Sequence, residues 1–263
     1  MRAEKTHSSL ETLFGLNGKT ALITGSSQGI GLAIARALAI AGAHVILNGR
    51  DQQRLTASAE TLRTEGFDVS ESCFDVTRRE QVAAAVDRIV GDLGKIDILV
   101  NNAGIQHRTP LEDFPEDRWH ALMAANLDSV FFVGQAVAKH MIRQGRGKII
   151  NVCSVQSEMG RPGIAPYTAS KGAVKMLTKG MCIDWGKYNI QVNGLGPGYF
   201  KTKLNEALVN DAEFSQWLTA RTPAGRWGNV DELSGAVIFL ASPASNFITG
   251  HILYVDGGVT ACL

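Results

Sequence analysis

The stretch "TALITGSSQGIGLAIARALAIAG", residues 20–42, decides the fold. Its first five residues, 20–24, form a short apolar run of strand character. Residues 30–42, IGLAIARALAIAG, carry apolar positions at helical spacing and close on Gly42, a natural helix C-terminus. Between them stands TGSSQGIG, with Gly25, Gly29 and Gly31 in a G-x3-G-x-G spacing. That is not the GxGxxG of the common dinucleotide fingerprint. The physics is shared, because small residues let the main chain approach a pyrophosphate and free N–H groups at a helix start face the anion. A tight turn is the bland use of such glycines. A clear strand on one side and a clear helix on the other favour phosphate binding.

The same alternation runs outward along the chain. Strands are expected at 44–49, 68–76, within 96–104 before a turn, at 147–154, within 190–198 before a loop, and in HILYVDGG, with helices at 52–66, 78–94, 116–144, 166–187 and near 230–241. About seven strands separated by helices require crossovers and therefore a parallel sheet covered on both faces. Right-handed crossovers lead to an α/β, doubly wound (Rossmann) sheet in a single domain, 1–263, with residues 1–17 as an N-terminal arm. Residues 199–229 interrupt the rhythm after a strand end and are expected to form a small substrate lid.

Bulk properties narrow the partners. The chain has 263 residues, 45% hydrophobic, and a net charge of +1, so neither nucleic acid nor an anionic membrane is favoured. No apolar run is read as approaching the roughly 18 residues of a membrane span. The N-terminus lacks the apolar stretch of a signal peptide. Cys73, Cys153, Cys182 and Cys262 are scattered, form no CxxC, and suit reduced thiols in a cytoplasmic protein. The six histidines show no metal-ligand spacing, and no metal is expected.

Five motifs in register carry a resemblance: TGSSQGIG, NNAG at 101–104, Ser154, YTASK at 167–171 and PG at 197–198. From about residue 17 to 258 the chain resembles the short-chain dehydrogenase/reductase family. The resemblance implies a nicotinamide dinucleotide held by Gly25, Ser27, Gln28, Gly29, Ile30 and Gly31. Asp75 and Val76 would meet the adenine, Asn102, Ala103 and Gly104 the ribose and phosphates, and Pro197, Gly198 and Thr202 the carboxamide. For Asp75 the alternative is a helix N-cap role for it or the neighbouring Thr77. Asn101 is expected to tie neighbouring strands together.

The strand end ILNGRD chooses between cofactors. An acid there accepts bonds from a ribose 2′-OH, whereas an arginine binds a 2′-phosphate by charge-assisted pairs. Here Asn48 and Arg50 flank Gly49 as expected cofactor contacts, and the first acid, Asp51, comes later, where it can cap the next helix. NADP(H) is therefore expected over NAD(H), although Gln28 stands where many NADP-using relatives carry a basic residue.

Tyr167 and Lys171 are four apart and share a helix face. A cation beside a phenol favours phenolate and lowers a pKa that is otherwise near 10. Ser154, at a strand end, can donate to a substrate oxygen. Asn126 is a poor helix-interior residue in a helical run, which suggests a kink or a held water. The resemblance implies a catalytic set of Asn126, Ser154, Tyr167 and Lys171. Tyr167 takes the substrate proton as hydride leaves the same carbon, and Asn126 leads water toward Lys171.

Gln106, His107 and Arg108 follow one strand end, and Gln156, Glu158 and Arg161 lie between Ser154 and Tyr167, a polar density suited to a polyol. NNAGIQHR, CSVQSEMGRPGIAPY, IQVNGLGPGYFKT and RTPAGRWG are similar to the gluconate 5-dehydrogenase branch of the family. That implies reversible interconversion of D-gluconate and 5-dehydro-D-gluconate, with Arg108, Gln156 and Glu158 joining Ser154 and Tyr167 at a sugar-acid substrate. Rival readings are a reductase for another sugar or keto acid, such as a 2-deoxygluconate 3-dehydrogenase, or for a 3-oxoacyl thioester. An inactive NADP-sensing protein would have lost Tyr167 or Lys171. The resemblance also implies a homotetramer. Trp217 and Trp227 are left open between lid, core and interface.

Overall fold

The computed structural model describes residues 9–262, so part of the expected N-terminal arm lies outside the described residues. The remainder of that arm is not simply extended. Ser9 accepts a hydrogen bond from the Thr12 N–H and starts a short helix, α1 (Leu10–Phe14).

Seven strands form one parallel sheet: β1 (Thr20–Ile23), β2 (His44–Gly49), β3 (Val69–Cys73), β4 (Ile98–Asn101), β5 (Gly147–Val152), β6 (Ile190–Pro197) and β7 (Ile252–Val255). Their order is β3-β2-β1-β4-β5-β6-β7. The chain winds outward from β1 to β3, then returns to lay β4 on the other edge of β1. This reversal opens a crevice beyond the carboxyl ends of β1 and β4, the usual ligand position in such sheets. Strand alternation divides the core. Ala21 and Ile23 face one side with Val45, Leu47, Ile98 and Val100. Leu22 faces the other with Ile46, Leu99 and Ile149.

Helices α2 (Gly29–Ile40), α3 (Gln52–Thr64) and α10 (Ser234–Ala241) cover the first face. Helices α4 (Arg79–Leu93), α6 (Ser129–Gln144) and α7 (Ala165–Trp185) cover the second. Asp51 caps α3 through the Arg54 N–H at 3.0 Å, as the sequence predicts.

The expected helix over 116–144 is interrupted. It comprises α5 (Glu116–Met123), a π-helical turn over Ala124–Asp128, and then α6. Such single π turns recur at functional sites. The whole stretch is 29 residues with a mean hydropathy of 1.4 over its most apolar window, long and apolar enough to cross a bilayer. The expectation that no run approaches that length is therefore corrected. Here α6 seats Val130, Val133, Val137 and Met141 in the core.

After β6 the lid contains α8 (Glu206–Val209) and α9 (Ala212–Arg221). Trp227 is buried against it, whereas Trp217 is half-exposed.

Candidate active site

The crevice floor is built by hydrogen bonds among distant segments. The Thr24 hydroxyl accepts from the Asn102 N–H at 3.0 Å and the Ala103 N–H at 3.1 Å. The Asn102 amide donates to the carbonyls of Thr24 and Gly25, both at 2.9 Å. These bonds clamp the turn after β4 beneath the glycine loop and place Ala103 and Gly104 at its rim.

Two glycines show what that loop is for. A Cβ on Gly31 would sit 2.4 Å from the Gly25 carbonyl oxygen and 2.5 Å from the Asn102 amide nitrogen, so only glycine lets the helix approach. Gly29 has φ +59° and faces open space. Gln28 and Gly29 are exposed at the mouth, with Ser27 and Ile30 half-buried beside them. The N-terminus of α2 thus presents N–H groups to an open, small-residue cradle, which fits a dinucleotide pyrophosphate.

Asn48 is placed otherwise than expected. It is 1% exposed. Its amide oxygen accepts from the Gly25 N–H at 3.2 Å, and its nitrogen donates to the Ser72 and Phe74 carbonyls, both at 3.1 Å. It supports the loop from below, because its hydrogen bonds go to the protein. Arg50 is exposed, with its guanidinium 3.8 Å from Asp75. One Asp75 oxygen accepts from the Thr77 N–H at 2.9 Å and hydroxyl at 2.7 Å, which closes a local turn, while the other faces Arg50. It does not cap α4, whose N-cap is Arg78 with no side-chain capping bond. Burial works to raise the Asp75 carboxyl, but the Thr77 bonds and the nearby Arg50 and Arg78 hold it below its ordinary value. Val76 is buried in the core.

Asn101 does tie strands, donating to Asn151 at 2.9 Å. Beyond β5, Ser154 lies close enough to the Tyr167 phenol to oppose its rise, and its hydroxyl oxygen accepts from the Gln156 N–H at 3.1 Å. Pro166 in the first turn of α7 starts the helix that carries Tyr167 and Lys171. The Lys171 ammonium lies 5.8 Å from the Tyr167 ring centre and donates to the Val152 carbonyl at 2.7 Å. The three side chains are thus brought together at the carboxyl end of β5. Their electrostatics differ from the expected balance. Burial pushes the Tyr167 phenol up, opposed by Ser154 and Arg108, and burial pushes Lys171 down. Burial is the largest influence on the phenol and carries it above its ordinary value.

Asn126 sits fully buried in the π turn. Its side chain accepts from the Ile105 N–H at 2.8 Å and donates to the Ile105 carbonyl at 3.0 Å and the Ser170 hydroxyl at 3.2 Å. Ser170 donates in turn to the Tyr167 carbonyl at 2.7 Å. The amide is a strut that joins the loop after β4 to the catalytic helix.

The substrate end gathers residues from four segments. Arg108 donates to Asn205 at 3.3 Å. Burial, and then Arg161, push the Arg108 guanidinium down, with Tyr167 and Tyr199 opposing. Buried Gln156 donates to the Tyr199 hydroxyl at 3.2 Å. Tyr199 packs with Phe214 and Trp227, ring centres 5.9 Å away in each case. Glu158 is not among these groups: its carboxylate is held by Lys175 and by the Tyr254 hydroxyl. Pro197 is buried, while Gly198 and Thr202 are half-buried where the lid leaves β6. Tyr199, Phe214, Ser157 and Ser170 were not expected at the site. Ser157 donates to the Lys171 carbonyl at 2.9 Å, and only the S-x-x-S spacing from Ser154 hints at it.

A family model described as Enoyl-(Acyl carrier protein) reductase matches residues 25–260. The chain is 58% identical to a gluconate 5-dehydrogenase of Gluconobacter oxydans, over 95% of this chain and 98% of that protein. The chain belongs to the short-chain dehydrogenase/reductase family. Within this family it is also 52% identical to a 5-keto-D-gluconate 5-reductase of Escherichia coli, covering 95% of this chain and 98% of that one. A gluconate 5-dehydrogenase from Burkholderia cenocepacia, solved in complex with NADP and tartrate, superposes with a TM-score of 0.95 at 60% identity, over 97% of this chain and 100% of that one. The seven-stranded sheet with helices on both faces is the short-chain dehydrogenase/reductase fold.

Proposed function

We propose that the protein is an NADP-dependent gluconate 5-dehydrogenase that interconverts D-gluconate and 5-dehydro-D-gluconate. One observation carries the reading: Ser154, Tyr167 and Lys171 converge beside a glycine cradle. Similarity to sugar-acid enzymes over nearly the whole chain supports the substrate. The cradle from Gly25 to Gly31, with Ala103 and Gly104, would hold the pyrophosphate and ribose. Exposed Arg50 would leave its loose contact with Asp75 for the 2′-phosphate. Pro197, Gly198 and Thr202 would line the carboxamide.

The bound nicotinamide supplies or accepts the hydride. In reduction the Tyr167 phenol gives its proton to the oxygen of the C5 carbonyl as that carbon gains the hydride, leaving a C–OH and a tyrosinate. Ser154 donates a hydrogen bond to the same oxygen and stabilises the charge that develops on it. Lys171 keeps a positive donor one turn from the ring, so the tyrosinate is tolerated until it is reprotonated. In oxidation the same groups run in reverse. A relay through Asn126 would use its main-chain carbonyl, since its side chain is already engaged. A 3-oxoacyl thioester fits less well, because the pocket wall presents arginines and an amide where an acyl chain needs apolar lining.

The chain acts as one catalytic domain in this reading. Exposed Phe131 on α6 and Met176 and Ile183 on α7 support assembly into a homotetramer, and four free thiols support a cytoplasmic setting. The decisive test follows NADPH consumption with 5-dehydro-D-gluconate, other keto acids and acetoacetyl thioesters, then repeats the panel with NADH. A preference for a thioester, or equal use of both cofactors, would overturn the assignment.

A further inference from the structure

Arg161 is set apart from the other surface arginines. Its guanidinium lies over the Phe214 ring, 5.2 Å from the centroid, and close enough to the Tyr199 phenol to oppose the rise that burial gives it. Its Nε is buried without a hydrogen-bond partner. No ion pair involves it among the described residues, a trait it shares with Arg78, Arg79 and Arg88, and its unpartnered buried nitrogen is what distinguishes it. Next to it the Gln156 side chain is 7% exposed, and its amide oxygen also lacks a partner. One donor and one acceptor are therefore left open in the same buried corner, joined through Tyr199. Leaving such groups unpaired is costly, more so for a charged one, unless a ligand completes them.

We propose that Arg161 is a substrate-recognition residue that, with Arg108, clamps the carboxylate of the sugar acid while the Gln156 amide oxygen accepts a bond from a substrate hydroxyl. This deepens the sugar-acid reading and rests on it. Arg161 lies close enough to disfavour the charge on Arg108, and an anion placed between the two guanidiniums would relieve that. An arginine offers its Nε–H and one terminal N–H as a planar fork, the geometry that a carboxylate accepts. Phe214, on α9, fixes the plane of that fork by cation–π contact. The corner adjoins the reacting pair, because Gln156 donates through its main-chain N–H to Ser154 and through its side chain to the Tyr199 hydroxyl. An acyclic substrate would span from the reacting carbon at Tyr167 to a carboxylate at the two arginines.

The test compares gluconate with gluconamide, the same polyol with its charge removed, as substrates with NADP+. Arg161→Gln should lower kcat/KM for gluconate by roughly 30-fold or more, chiefly through KM, while gluconamide changes less than about 3-fold. Arg161→Lys should recover part of the loss, because charge returns without the fork. NADP+ affinity should be unchanged. Equal losses on both substrates would make Arg161 a merely structural residue and overturn the clamp, as would no loss on either. Calorimetric titration of the NADP+-loaded protein with the two ligands reads the same preference without turnover. An inert wild type would thus break the assigned reaction and leave the clamp measurable. A preference for the anion that survives Arg161→Gln, or no preference in the wild type, overturns it.

Discussion

The two ends of the crevice are built on opposite plans. Beneath the nucleotide loop, polar groups are satisfied within the protein: Asn48, Asn102, Thr24 and Ser26 bond to one another's segments. At the substrate end, the Gln156 oxygen and the Arg161 Nε are buried and unpartnered. The first plan gives a rigid platform that exists before any ligand arrives. The second leaves polar valence for a ligand to complete, which is how a site rejects molecules lacking the matching group.

The largest effect expected lies between the two ends. Tyr167→Phe should lower kcat by roughly 10²–10⁴-fold, the usual range for a lost proton-transfer group, with NADPH still binding by fluorescence titration. A companion pH series gives the sign. Burial raises the phenol, so reduction, which needs the protonated form, should hold its kcat/KM across neutral pH. Oxidation, which needs the phenolate, should climb through the alkaline range. An oxidation rate that falls with rising alkalinity would contradict that order.

Next, Asn48→Ala should break the platform. It strips a partner from the Gly25 N–H and from two carbonyls, and should cost about 2–4 kcal/mol by chemical denaturation, with weaker NADPH binding. A protein of unchanged stability would show that the platform is not held from below. Arg50→Ala should raise KM for NADP+ by roughly 10–100-fold and leave NAD+ nearly unaffected, since it removes charge-assisted bonds to one phosphate.

The smallest effect is expected far from both ends. Lys148 on β5 is buried, its ammonium donates to Ser245 at 3.1 Å, and burial pushes it down to about 8. Its folded-state pKa lies below its unfolded one, so the penalty is fully present below pH 8 and fades as pH rises toward the ordinary lysine value. Lys148→Met should therefore stabilise the protein by about 1–2 kcal/mol at pH 7, and this gain should vanish near pH 10. A gain independent of pH would assign it to packing instead of charge.

Much of this was legible in the sequence because it is written in local patterns. Strand–helix alternation gave seven parallel strands, and the four-residue spacing of Tyr167 and Lys171, with Ser154 at a strand end, marked the chemistry. What escaped depends on partners far along the chain. Asn48 reads as a strand-end residue until β3 and Gly25 close around its amide. Glu158 reads as a substrate group until Lys175 and Tyr254 take its carboxylate. Arg161 was visible as a charge, but nothing nearby in sequence shows that Phe214 and Tyr199 would hold it. The balance at Tyr167 was misjudged for a related reason: spacing reports the neighbouring ammonium, but burial is a property of the whole fold.

The return of the chain from β3 to the other edge of β1 also sets an order of assembly. During synthesis β1, β2 and β3 can pair as soon as they emerge, but the Thr24 hydroxyl must wait for Asn102 and Ala103 before it finds its donors. The anion-binding loop therefore stays unsealed on the nascent polypeptide until the fourth strand has left the ribosome, and the dinucleotide can help fold the enzyme only from that moment on.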